Sequence, residues 1–309
     1  MGISLSKDEG RHNEPFLKGY NRTTYNSCLS NAALRSMNDS MMHAYENNTP
    51  TAWDDIRRHE AFFETFASMY LREHPGDMLR LKREHTYKVL AHARAIVAQE
   101  RLEAQEGRAA LLAALYHDTG RFPQYVRWRT FSDAESENHG YLGVHVVKKE
   151  QFLADEPRPI RKWVLTAIAL HNRYALPALP EPYLTVTHVV RDADKLDIMR
   201  IMAQHLSRPI PTRDVVLRVQ DAPQLWSQSI VDTVLSGGIP SYCDLHYVND
   251  FRILLGSWIH DLHFPSSKKT CVASGFLQEV LQGLPDAPEL KPVTAYLLNQ
   301  FSAVRNSCG

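Results

Sequence analysis

Histidine and aspartate stand in this chain at places where polar side chains are otherwise scarce. The pair His117-Asp118 follows directly on the run Ala109-Ala110-Leu111-Leu112-Ala113-Ala114-Leu115-Tyr116 and precedes the turn residues Thr119-Gly120. A carboxylate beside so apolar a helix needs a compensating charge, which a divalent cation supplies. Hydrogen bonding within the Thr119-Gly120 turn is the simpler alternative. The dipeptide by itself proves little, because His260-Asp261 repeats it. What distinguishes the first pair is its company: His85 upstream, His139 and His171 downstream, and then the acidic cluster Asp192, Asp194 and Asp197. Neutral imidazoles with carboxylates make a mixed nitrogen and oxygen donor set. It suits one or two ions of Mn²⁺, Fe²⁺, Co²⁺, Ni²⁺ or Zn²⁺ rather than the oxygen-only shells of Mg²⁺ and Ca²⁺. A bound ion of this kind acidifies its water and polarises a phosphoryl oxygen, so hydrolysis of a phosphate ester or anhydride is the reaction such a set would serve.

Side chains so far apart in sequence meet only if several elements converge. Ile56, Phe62, Phe63, Phe66, Met69 and Tyr70 recur at helical spacing from Trp53 to His74-Pro75-Gly76, which predicts a first core helix. A second helix is expected over 77–104 and a short, strongly apolar third over 108–117. The stretch 121–135, with Pro123 and the aromatics Phe122, Tyr125, Trp128 and Phe131, reads as an irregular segment that walls a pocket or packs on itself. Helices follow over 136–152, 159–173 and 184–206. Beyond Pro209 and Pro211 come helices near 213–220, 223–235, 246–261, 270–283 and 290–303. No run alternates as a strand would. The expected fold is all-α, a helical bundle that can gather side chains from facing helices around metal. Three parts are expected: a polar, partly disordered arm at 1–52, a metal-binding core at 53–206 and a C-terminal helical extension at 207–309.

Composition narrows the field of partners. The 309 residues carry 35 Lys plus Arg against 35 Asp plus Glu, so no net field favours a nucleic acid or an anionic membrane. Cys28, Cys243, Cys271 and Cys308 form no C-x-x-C pair, which fits a reducing, cytoplasmic setting and argues against a thiolate zinc site. No P-loop, nucleophile elbow or dinucleotide fingerprint appears. A small phosphorylated substrate is the expected partner, with no nucleic acid and no membrane.

The order His85, His117-Asp118, and an Asp within Arg191-Asp192-Ala193-Asp194-Lys195-Leu196-Asp197 resembles the HD superfamily of metal-dependent phosphohydrolases. The stretches His117-Asp118-Thr119-Gly120-Arg121-Phe122-Pro123-Gln124, Asn138-His139-Gly140 and Leu170-His171-Asn172 resemble a bacterial subgroup of it with HDIGRFPQ and RDADKLD motifs. Trp258-Ile259-His260-Asp261-Leu262-His263-Phe264 is similar to a C-terminal motif of that subgroup. The resemblance implies that His85, His117, Asp118 and Asp194 hold one metal. It also implies that His139 and His171 serve a second, with Asp118 bridging. Asp192 and Asp197 then pack or support.

Cations beside such a site would hold a substrate phosphate. Arg121 is the first choice, since its planar fork binds phosphate bidentately; Lys195 and Lys82 follow. Lys195 can instead pair with Asp192 or Asp197 on its own helix, and Lys82 can be a solvated face residue. Asp133 and Asn172 are candidates to orient the histidines or water; His92 and His145 are weaker candidates for the pocket. The expected activity is a metal-dependent phosphohydrolase acting on a small metabolite such as a nucleotide. A mixed-valence di-iron oxygenase and a non-catalytic sensor module are the alternatives.

Overall fold

A computed structural model of the chain describes residues 55–206 and 219–306. The arm expected at 1–52 lies outside these residues. So does nearly all of the helix expected at 213–220, whose last position, Gln220, instead forms an isolated bridge to Tyr247. Among the described residues there is no strand, and the fold is all-α. The helices are α1 (Arg57–Glu73), α2 (Asp77–Gln99), α3 (Ala104–Tyr116), α4 (Arg121–Trp128), α5 (His139–Lys149) and α6 (Arg158–Leu170). They continue with α7 (Tyr183–Leu206), α8 (Gln228–Leu235), α9 (Val248–Ser257), α10 (Pro265–Ser274), α11 (Phe276–Gln282) and α12 (Lys291–Asn306). None is long and apolar enough to cross a membrane.

The apolar run that precedes His117-Asp118 forms the centre of the bundle. Every residue from Ala109 to Tyr116 is buried, and α3 packs on α2, α6 and α7. A helix apolar all round is one covered on every side. The small side chains of Ala109, Ala110, Ala113 and Ala114 let the surrounding helices come close. Helix α7 is shared between two cores. Val186, Val189, Val190 and Ala193 join the core built by α1 to α6, whereas Leu196, Met199, Met202 and Leu206 join one built with α8 to α12.

Two segments differ from expectation for local reasons. The stretch 121–135 is not irregular throughout: it contains α4 and a 3₁₀ turn, Asp133–Glu135. Pro123 falls in the first turn of α4, where its missing N–H costs nothing, and the helix ends at Arg129, whose φ is 56°. The helix expected over 270–283 is two helices, α10 and α11, divided at Gly275 with φ 73°. A positive φ of this size suits glycine and stops a helix.

A buried charge cluster ties α1, α3 and the segment before α6 together. His59 Nε2 lies 2.9 Å from Glu156 Oε1, and Arg108 donates to both Glu156 oxygens at 2.6 and 2.8 Å. Burial raises the Glu156 carboxyl, but the bonds from His59 and Arg108 outweigh it and bring it down to about 2 from 4.5. A depressed carboxylate contributes stability that is present above its unfolded value and lost as pH falls through its folded value. Glu156→Gln is therefore expected to cost about 3 kcal/mol near pH 7. It should also flatten the loss of stability between pH 4.5 and 2. Urea unfolding at several pH values measures both effects, and an unchanged acid limb would contradict this role.

Candidate metal centre

Five helices deliver six side chains to one locus in the first core. His85 lies on α2, His117-Asp118 just past α3, and His139 opens α5. His171 caps α6, and Asp194 sits within α7. Their ligand atoms gather into three overlapping groups: His85, His117, Asp118; His117, His171, Asp194; and Asp118, His139, His171. All are buried except Asp194, which keeps 17% of its side chain exposed and so marks the side open to solvent.

The turn that bears Asp118 depends on one close approach. A Cβ on Gly120 would stand 2.2 Å from the His139 carbonyl oxygen and 2.5 Å from Gly143 N. The backbone φ of Gly120 is −65°, an ordinary value. Glycine is needed here for space alone, because the start of α5 lies against the turn.

Each imidazole is anchored through Nδ1 and presents Nε2. His117 Nδ1 donates to the Ala114 carbonyl and His171 Nδ1 to the Ile168 carbonyl, both at 2.8 Å. A carbonyl can only accept, so both rings carry the proton on Nδ1 and a lone pair on Nε2. His85 Nδ1 meets Asp197 Oδ2 at 2.7 Å, and His139 Nδ1 meets Asp133 Oδ2 at 2.7 Å. Such carboxylate or carbonyl partners are what fix the tautomer of a metal-binding histidine. Burial and the neighbouring His139 and His117 push His171 down to about 3. His139 is also lowered, by burial and by Arg121 against the pull of Asp133. Both are neutral donors near pH 7.

The inward atoms lack partners of the right kind. His85 Nε2 and His117 Nε2 are buried and make no hydrogen bond, although Asp194 Oδ1 is 3.0 Å from the first and 3.7 Å from the second. His139 Nε2 and His171 Nε2 face each other at 3.0 Å with lone pairs on both. Burial and Lys82 pull the His85 imidazole down, yet the carboxylates of Asp194 and Asp197 beside it outweigh them and push it up. The locus thus attracts positive charge. Asp118 divides its oxygens between the two halves: Oδ2 lies 3.6 and 3.7 Å from His85 and His117, Oδ1 3.5 and 4.0 Å from His139 and His171. The residues present fit divalent metal in a mixed nitrogen and oxygen set.

Two cations flank Asp118. Lys82 Nζ lies 2.7 Å from Oδ2 and Arg121 Nε 3.4 Å from Oδ1. Both rest over the Phe131 ring, at 5.3 and 5.7 Å from its centre. Burial raises the Asp118 carboxyl, but Lys82, His117, Arg121 and His139 together hold it well below the usual range. Arg121 also reaches Asp133 Oδ1 at 3.1 Å. Asp133 in turn accepts from Gln124 at 2.8 Å and from Asn172 at 3.0 Å.

Other sequence candidates stand elsewhere. Lys195 pairs with neither Asp192 nor Asp197: its ammonium lies 2.8 Å from Asp261 Oδ2. Asp192 accepts the backbone N–H groups of His263 and Phe264, while Asp197 supports His85 and pairs with Arg200. His145 is exposed on α5. His92 lies close enough to Asp197 and His85 to feel their charge, and burial lowers it. The second pair, His260-Asp261, belongs to none of the three groups. Sequence reasoning missed Gln124, fully buried beneath Asp133. Its position inside the quoted motif is the signal that could have found it.

Asp133→Asn tests the support of His139. The loss of its charge should weaken metal at the His139 half by about 10- to 100-fold, as partner mutations typically do, and leave the His85 half in place. Metal titration with elemental analysis reads this directly; equal weakening of both halves would contradict it.

No curated protein and no solved structure matches the chain. Residues 83–199 match the family model described as HD domain, a stretch that contains all six convergent side chains from His85 to Asp194.

Proposed function

We propose that the chain is a metal-dependent phosphohydrolase that hydrolyses a phosphate ester or anhydride of a small metabolite, a nucleotide being one such compound. The observation that carries this reading is the convergence of four imidazole Nε2 atoms, two of them without any hydrogen bond, on the two oxygens of a buried carboxylate. The HD superfamily, whose model matches 83–199, is one of metal-dependent phosphohydrolases, and the resemblance to the bacterial subgroup with HDIGRFPQ and RDADKLD motifs is part of the same reading. His85, His117, Asp118 and Asp194 would hold one ion; Asp118, His139 and His171 would hold a second. Bound there, the metal supplies an acidified water and an electrophile for a phosphoryl oxygen.

The chain's own residues do the rest. His117 and His171 keep their protons at Nδ1 on the Ala114 and Ile168 carbonyls, so Nε2 stays free to bind. Asp197 and Asp133 orient His85 and His139 in the same way. Arg121 and Lys82 supply charge for the substrate phosphate, and Phe131 holds both in place from one side. Lys195 joins them only as a further positive charge, since Asp261 already pairs with it.

Purified protein supplied with Mn²⁺, Fe²⁺ or Co²⁺ and offered a panel of nucleotides and phosphomonoesters tests the proposal. Phosphate release that a chelator abolishes and metal restores is the expected result. A metal-loaded protein that releases phosphate from none of them would count against it.

A further inference from the structure

The segment 258–264, which carries the second His-Asp pair, grips one face of α7. His188, Arg191, Asp192 and Lys195 recur at the three- and four-residue spacing that sets side chains on one side of a helix, and each meets this segment. The His188 ring stacks on His263, with centroids 3.9 Å apart and planes 7° from parallel. Asp192 accepts the backbone N–H of His263 at 3.0 Å and that of Phe264 at 2.9 Å. Lys195 Nζ lies 2.8 Å from Asp261 Oδ2 and 6.0 Å from the centre of the Trp258 ring. Arg191 Nη2 lies 3.6 Å from the same Asp261 oxygen. Asp194 and Asp197, on the same helix, turn instead to His85. One helix therefore joins the segment to the candidate metal centre.

Arg191 makes the connection physical. Its Nη1 donates to the His171 carbonyl at 3.0 Å and also to the Arg173 carbonyl. These carbonyls close the end of α6, where His171 is the capping residue. Arg191 is only 6% exposed, and a charge so buried needs a counter-charge, which Asp261 provides at 3.6 Å. A cavity of about 370 Å³ lies beside this end of α6, lined among others by Leu176, Leu179, Leu184, His188, Arg191 and Asp261. The His171 N–H stays within the helix, on the Ala167 carbonyl, and it is the His171 carbonyl that Arg191 holds.

We propose that Asp261 is a positioning residue for the half of the centre formed by Asp118, His139 and His171. It keeps Arg191 on the His171 carbonyl and so fixes where His171 Nε2 stands. The inference rests on the metal-centre reading above. The ion pairs of Asp261 among the described residues are with Arg191 and Lys195, not with any of the six convergent side chains, and it acts through Arg191. Among the described residues Asp261 is the carboxylate that pairs with Arg191; without its charge the guanidinium is freer to leave the end of α6, and His171 keeps its Nδ1 bond to the Ile168 carbonyl but loses the tie on its own carbonyl.

Mn²⁺ titration of the full chain, followed by electron paramagnetic resonance and elemental analysis, compares the wild type with Asp261→Asn and Asp261→Glu. In Asp261→Asn the weaker-held ion should lose affinity by about tenfold or more while the other stays within about threefold, the range expected for loss of an outer partner. Asp261→Glu, which keeps the charge, should recover most of the affinity. Unchanged affinities in Asp261→Asn would overturn the proposal. So would equal weakening of both ions with a lower melting temperature of the metal-free protein, the signature of a purely structural role. A wild type that takes up no Mn²⁺ would overturn the metal-centre reading and this inference with it. A wild type that holds metal normally beside an unaffected Asp261→Asn would overturn the inference alone.

Discussion

Asp118→Ala is expected to lose metal from both halves of the centre and to lower phosphate release by about a thousandfold, roughly 4 kcal/mol of transition-state stabilisation. Asp118 faces His85 and His117 through one oxygen and His139 and His171 through the other. No other side chain among the six is placed between the two halves in this way. Its removal leaves four imidazoles and two cations, Lys82 and Arg121, without the carboxylate that lies among them. Asp118→Asn keeps the shape but not the charge, and should lose metal almost as fully. His139→Ala, by contrast, should spare the His85 half. Elemental analysis with steady-state rates separates these outcomes. A full metal complement in Asp118→Asn would contradict the bridging role.

Gly120→Ala should be the most damaging change that adds a single methyl group. The new Cβ would meet the His139 carbonyl oxygen at 2.2 Å and Gly143 N at 2.5 Å. Both are backbone atoms, so neither can swing aside as the end of a flexible side chain would. The turn and the start of α5 must separate by about 1 Å, at an expected cost of about 3 kcal/mol in a well-packed interior. His139 is the first residue of α5, so the same movement draws it from His171 and weakens the second half. Denaturant unfolding and metal titration measure the two effects together. An unchanged unfolding midpoint would contradict the close approach.

Much of the centre is legible in the sequence because local rules and tertiary demands agree there. An all-apolar run before His117-Asp118 reads as a buried helix, and α3 is buried along that whole run. Histidines isolated on separate helical segments read as convergent donors, and their Nε2 atoms do meet. The rest depends on contacts that no local pattern encodes. Asp192, Asp194 and Asp197 lie on one helix but point in different directions: to the backbone at 263 and 264, to the cluster, and to His85 Nδ1. Lys195 reads naturally as a substrate cation, and its pairing with Asp261 requires knowing where a distant segment docks. Helix α4 was hidden by Pro123, which breaks a helix interior but suits a first turn. The division at Gly275 was hidden by its apolar neighbours Phe276 and Leu277, which continue a helical period across a residue that ends the helix.

Anomalous diffraction from crystals of the metal-loaded protein, with elemental analysis of the same preparation, tests the centre most directly. Peaks on both sides of Asp118 are predicted, one among His85, His117 and Asp194 and one beside His139 and His171. Metal-loaded crystals with no peak near His117 would contradict the metal centre and every activity built on it.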